Sequence, residues 1–204
     1  MSATAENSNT MNPDSPLPFL DFLRQRRSLP ARLLVEPGPD AEQLEILLTT
    51  AIRVPDHGRM TPWRFIRIAG SARAVLGERL AAALERDDPD TLAPILDKER
   101  GRFSQAPLVI AVIGIVTVGH RIPEVEQRSS AAAVCFQMLL AAEAMGFAGQ
   151  WLTGPAAYHA DIHAALGLAG NEEITGFIHL GTASQQVPER VRPPLGPLLS
   201  DWQP

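Results

Sequence analysis

Apolar positions along this chain fall into stretches of two kinds, some recurring every three or four residues and others running continuously, with prolines and glycines cutting between them. Residues 40–53 carry the clearest helical pattern: Leu44, Leu47, Leu48, Ala51 and Ile52 form one stripe, Asp40 and Gln43 are placed for a capping box, and Pro55 terminates the run. Residues 16–27 read as a first helix, with prolines near the start and Phe19, Phe22 and Leu23 on one face. The spacing also predicts a helix over 71–86, a weaker and more charged one over 89–102, and a short one over 158–166. A long helix over 123–146 is rich in alanine at Ala131, Ala132, Ala133, Ala141, Ala142 and Ala144, so another backbone can approach it closely. Strands are expected at 63–68, 148–152 and 175–180, and the continuous apolar run 107–118 reads as a central strand covered on both faces.

Helices outnumber strands and the two do not alternate strictly, which predicts an α+β domain with a small mixed central sheet wrapped by helices. That domain should cover 16–184. Residues 1–15 are polar and read as a disordered leader without the features of a secretory signal. Residues 185–204 carry Pro188, Pro193, Pro194, Pro197 and Pro204 and should be extended. Because this arm ends in Leu198, Leu199 and Trp202, it has apolar groups to bury, either by embracing a partner subunit or not at all if it merely frays.

With 204 residues, 45% of them hydrophobic, the chain suits one core burying roughly 70% of its unfolded surface. A net charge of −5 without any basic run argues against a nucleic-acid partner, and the longest uncharged apolar stretch is shorter than the roughly 18–20 residues that span a bilayer, so a soluble protein is expected. One cysteine, Cys135, excludes an intrachain disulfide and suits a reducing compartment, with the cytoplasm as the expected location. The only lysine, Lys98, sits in a charged segment, which argues against Schiff-base and P-loop chemistry.

Neither a Gly-x-Gly-x-x-Gly turn nor a Gly-x-Ser-x-Gly elbow occurs. His159 and His163 stand four apart but lack an identifiable third ligand for a metal. Arg26-Arg27-Ser28, at the end of the first helix, offers two guanidinium forks and a hydroxyl that could hold a phosphate; compensation of the helix dipole explains the same residues equally simply. The loop Arg53-Val54-Pro55-Asp56-His57, followed by Pro62-Trp63, brings a cation, an imidazole and a flat aromatic together, or is ordinary helix termination.

These segments, taken in order with Gly149-x-Trp151 and the strand Gly176-Phe177-Ile178-His179-Leu180 running into Gly181-Thr182, resemble the nitroreductase family, in particular its small NAD(P)H nitroreductase branch, over roughly residues 19–182. The resemblance implies an intertwined homodimer with FMN at the subunit interface. It implies that Arg26, Arg27 and Ser28 bind the flavin phosphate and ribityl end, that Arg53 and His57 contact the same flavin from the partner chain, and that Trp151, Leu152 and Thr153 lie near the isoalloxazine. Leu152 stands where relatives carry a polar or basic residue, so only its backbone could serve. Nicotinamide contacts are implied near Ala141, Ala142, Glu143, Ala144, Met145 and Gly146.

The activity so implied is ping-pong: NADH or NADPH reduces the flavin and leaves, and a small acceptor such as a nitroaromatic or quinone then takes the electrons, with no side chain assigned as acid or base. Other reductive flavin chemistry on the same scaffold, such as dehalogenation or ene reduction, and a non-enzymatic flavin-binding module remain alternatives. The shape of the pocket is expected to depend on residues 84–102.

Overall fold

The computed structural model describes residues 18–204, so the expected leader lies outside the described residues. Seven helices and five strands follow in the order α1 (Pro18–Gln25), β1 (Leu34–Val35), α2 (Ala41–Ala51), β2 (Trp63–Ala69), α3 (Ala72–Asp87), α4 (Ala93–Gly101), β3 (Leu108–Ile115), α5 (Glu124–Ala144), β4 (Ala148–Leu152), α6 (Pro155–Tyr158), α7 (Ala160–Ala165) and β5 (Glu172–Ala183). The capping box forms as read: the Gln43 N–H donates to Asp40 Oδ1 at 2.9 Å, and the Asp40 N–H donates to Gln43 Oε1 at 3.0 Å. The expected helix over 158–166 is two short helices, because His159 ends α6 and its Nδ1 accepts from the Asp161 N–H to start α7.

The fold is α+β as expected, but the sheet is not mixed. Every strand pairing among the described residues is antiparallel: β2 with β3, β3 with β5, and β5 with both β4 and β1 along its other edge. The long helical connection between β2 and β3 returns the chain in the opposite direction, where a right-handed crossover would have made the pair parallel. β3 is interior, as its apolar run demands, and β5 pairs with three of the other four strands.

Alternation along β3 divides the core. Leu108, Ile110 and Val112 face α2 and α5, together with Ile178 and Leu180 of β5; Val109, Ala111 and Ile113 face the opposite layer with Leu80, Phe103, Ile162 and Phe177. Much of the alanine of α5 serves this core: Ala131, Ala141 and Ala142 are buried against it. A bulge where Val112 pairs with Gly176 and Ile113 with Ile174 leaves Thr175 unpaired in the ladder, and the Thr175 carbonyl accepts from the Trp151 indole N–H at 3.2 Å. A β-carbon on Gly176 would fall 2.0 Å from that indole nitrogen, so the glycine makes the space in which Trp151 lies.

Beyond β5, residues 185–204 contain no helix or strand apart from a single turn at Gly196–Leu198, and Val191, Leu195, Leu198, Leu199 and Trp202 are exposed. No described helix is long and apolar enough to cross a membrane.

Candidate functional site

The segment after α1 is fastened to the edge of the sheet. The Leu29 N–H donates to the Gly149 carbonyl at 3.1 Å, the Ala31 N–H donates to Gln150 Oε1 at 2.6 Å, and Leu29 and Ala31 are buried. Arg26, Arg27 and Ser28 therefore leave α1 directly beside β4 and the C-terminal part of α5. The Arg26 guanidinium lies over the exposed Phe136 ring at 5.5 Å and 3.5 Å from Ser28 Oγ, leaving one cation and one hydroxyl side by side at the surface. Arg27 turns the other way. Its Nη1 donates to the carbonyls of Arg24 and Arg26, its Nη2 pairs with Glu189 of the C-terminal arm, and its buried Nε has no partner among the described residues.

Strand alternation sends Trp151 toward α5, where it packs against the core, while Gln150 and Leu152 face the opposite side. There they line a cavity of about 430 Å³ whose other walls are Arg32, Lys98, Arg102 and Gln105, with Pro30 and Ala31. Arg102 forms a two-pronged pair with the buried Glu99, its Nη2 donating to Oε1 at 2.7 Å, so the guanidinium is held nearly immobile. Thr153 leads to Gly154, whose φ of 68° lies in the left-handed region and whose missing β-carbon would sit 3.1 Å from Arg102 Nη2. Beneath this wall His179 is fully buried, stacked on Phe103 with centroids 6.4 Å apart, and neither ring nitrogen has a partner among the described residues. Burial and the nearby Arg102 push its imidazole down to about 4, so it is neutral at physiological pH. Sequence reasoning missed Arg32, Arg102, Gln105 and Gln150 because they belong to three separate segments that meet only in the fold.

Arg53 and His57 are exposed and sit at the other end of α5. His57 Nδ1 is 2.6 Å from Glu126 Oε2 near that helix's start, whereas the Arg27 N–H donates to Glu143 near its finish. Along α5, Glu126 stands ten residues before Phe136, over which Arg26 lies, or about 15 Å at 1.5 Å per residue, and Arg53 and His57 make no contact with Arg26 or Ser28 among the described residues. Of the stretch at the end of α5, Ala141, Ala142 and Glu143 are buried, Ala144 and Gly146 are exposed, and Met145 is half-buried. His159 and His163 do not converge on a common point: one binds Asp87 at 2.9 Å and the other the Ala157 carbonyl at 2.8 Å. Cys135 is buried in the core, which pushes its thiol up to about 12 and leaves it inert.

A family model described as Nitroreductase family matches residues 23–182. The Escherichia coli (strain K12) protein named "Putative NAD(P)H nitroreductase YdjA" is 38% identical over 167 residues, covering 80% of this chain and 87% of its own. Among solved structures, a nitroreductase-like family protein from Bacillus cereus superimposes with a TM-score of 0.75 at 20% identity, covering 98% of this chain and 97% of that one. A nitroreductase with bound FMN from Bacteroides fragilis superimposes with a TM-score of 0.66 at 19% identity, covering 90% and 98%. The matched residues begin just before Arg26-Arg27-Ser28 and end at Thr182, so every element that builds the cavity lies inside them.

Proposed function

The chain belongs to the nitroreductase family, and on that premise we propose that it is an FMN-dependent oxidoreductase that takes electrons from NADH or NADPH and delivers them to small acceptors such as nitroaromatics or quinones, working as a homodimer. The observation that supports this reading is the fastening of Leu29 and Ala31 to Gly149 and Gln150, which holds Arg26-Arg27-Ser28 beside the start of β4, while Leu152 at the other end of that strand lines a cavity walled by a fixed guanidinium.

The residues fit a flavin mononucleotide at both of its ends. Arg26 and Ser28 offer a charge-assisted donor and a hydroxyl to the phosphate, and Arg27 already holds a carboxylate, that of Glu189, on the same kind of fork that would hold a phosphate oxygen. At the other end, Arg102 and Gln150 offer N–H donors in a cavity that also contains Leu152, and Gly154 leaves the guanidinium its room. FMN held there would supply the two-electron chemistry that couples a nicotinamide donor to the acceptor. The protein's part would be to place the ring, with Arg102, fixed by its pair with Glu99, as an N–H donor to it.

A homodimer is the reading in which Arg53 and His57 join this site, from a second copy whose α5 runs so that the start of one helix approaches the later part of the other; their distance from Arg26 within one chain supports it. The extended arm with its exposed Leu198, Leu199 and Trp202 is then a strap over that partner, and the end of α5, from Ala141 to Gly146, borders the donor's approach.

The experiment is an absorption spectrum of purified protein after FMN is added and the excess removed, followed by anaerobic NADPH and, separately, NADH. Retained flavin that bleaches with one donor on the turnover timescale supports the proposal and identifies that donor. Each charge-assisted bond contributes about 1.5–3 kcal/mol, so Arg26→Ala should weaken flavin binding roughly ten- to a hundredfold, with a smaller loss for Ser28→Ala. A folded dimer that retains no flavin would overturn the proposal.

A further inference from the structure

The cavity beside β4 is strongly cationic. Three cations, Arg32, Lys98 and Arg102, line it with the carboxamides of Gln105 and Gln150, and no carboxylate does, although the protein carries 23 acidic residues and a net charge of −5. Glu99 neutralises Arg102 from behind. Arg32 and Lys98 are exposed and have neither a carboxylate nor a hydrogen-bond partner among the described residues, and Lys98 is the chain's only lysine. Elsewhere several arginines are neutralised by a carboxylate, as Arg64 is by Glu172, Arg86 by Asp161, Arg100 by Glu78 and Arg128 by Glu173. Two unpaired cations at the rim of a concave, partly apolar site concentrate positive potential there and draw an anion in.

The helix that presents Lys98 also defines the body of what would bind. Ile95 lies one turn before Lys98 on a neighbouring face of α4, Leu92 caps the start of the same helix, and both are exposed, at 48% and 67%. Exposed apolar groups thus stand near the cationic rim. We propose that this cavity selects the electron acceptor: the preferred substrates are small aromatic compounds bearing a carboxylate, with the acid group between Arg32 and Lys98 and the ring toward Ile95 and Leu92. This inference rests on the oxidoreductase reading above and adds the acceptor's chemical class to it. Arg32 supplies the planar fork that fits a carboxylate, and Lys98 supplies a point charge on a flexible stem that tolerates variation in ring size.

The test compares 4-nitrobenzoate with 4-nitrobenzyl alcohol as acceptors for FMN-loaded protein. The ratio of their kcat/KM values should favour the acid, fall by roughly tenfold in Lys98→Ala, and fall further in Lys98→Glu and in the double variant with Arg32→Ala. A second readout is independent of turnover: benzoate, but not benzyl alcohol, should raise the melting temperature of the wild-type protein and do so less in Lys98→Ala, with flavin absorbance after gel filtration unchanged by benzoate. An unchanged acceptor ratio in Lys98→Glu overturns the proposal. So does displacement of flavin by benzoate, which would give the cavity wholly to the cofactor, and so does a Lys98 effect confined to the KM of NADPH relative to NADH, which would give it to the donor's extra phosphate. Failure of the oxidoreductase reading is distinct, since it shows as protein that retains no flavin while the benzoate shift on the same sample still decides whether the cavity takes an aromatic acid.

Discussion

His179 makes the stability of this protein depend on pH. Its imidazole is fully buried against Phe103 beside the Arg102 guanidinium, and its folded-state value of about 4 lies well below the ordinary 6.5. Between those two values the unfolded chain binds a proton that the folded chain refuses. The contribution is therefore fully present above about pH 6.5 and is lost as pH falls toward 4. At about 1.4 kcal/mol for each tenfold difference, the gap sets an upper limit of roughly 3 kcal/mol, of which roughly 2 kcal/mol falls between pH 7 and pH 5. Glu172, which the Arg64 side chain holds down to about 2, loses its contribution only as the pH drops below the ordinary carboxylate range, so it does not intrude above pH 5. The assay is urea unfolding at fixed protein concentration, followed by far-ultraviolet circular dichroism at pH 7 and pH 5. The wild type should lose roughly 2 kcal/mol across that interval, and His179→Leu should lose little while remaining within about 1 kcal/mol of the wild type at pH 7, because an imidazole whose nitrogens lack partners gives up nothing to an apolar side chain. Equal losses in the two proteins would refute the reasoning.

Three further outcomes follow from the geometry. Gly154→Ala places a methyl group 3.1 Å from Arg102 Nη2 at a left-handed backbone position, so it should weaken flavin binding measured by equilibrium dialysis while costing about 1 kcal/mol of stability or more. Gly176→Ala drives the Trp151 indole from the Thr175 carbonyl, and should lower stability by about 1–3 kcal/mol and change the tryptophan emission; an unshifted spectrum would contradict the packing described. Asp40→Ala removes one half of the capping box that starts α2 and should cost about 1 kcal/mol in urea unfolding without altering flavin binding.

Long periodic segments were legible in the sequence, and elements defined only by their partners were not. The stripe of α2 and the unbroken apolar run of β3 announce themselves because burial on one face or on both requires them. β1 does not, since two residues carry no period and Leu34–Val35 is a strand only because Ala183 and Thr182 pair with it. β5 starts earlier than its apolar pattern because Glu172 and Glu173 are stabilised by Arg64 and Arg128, not by burial. The antiparallel sense of the sheet depends on how the helical connections return, about which hydrophobic spacing says nothing. Within the candidate site, the resemblance pointed to the Arg-Arg-Ser segment and to Trp151, Leu152 and Thr153, and the fold fastens the residues after the first, Leu29 and Ala31, to Gly149 and Gln150 of β4. Residues 84–102 were expected to shape the pocket, and Lys98 and Arg102 of that segment line it, but its cationic character was not readable, because those two look like any solvated surface until Gln150 and Arg32 arrive from elsewhere. Its one available signal was the solitary lysine in a chain whose other basic residues are all arginine.

The position of β5 bears on how the chain is made. The strand with which β1, β3 and β4 all pair is the last strand among the described residues, Glu172–Ala183, so during synthesis those three emerge with that pairing edge empty. Until Ala183 has cleared the ribosome, β2 and β3 can form at most a two-stranded ribbon, and the apolar face of α5 has half a surface to rest on. Assembly of the sheet is thus a late, long-range event that exposes unpaired strand edges for most of translation. Truncations that stop short of residue 183 should yield aggregating chains, whatever the integrity of the helices before them.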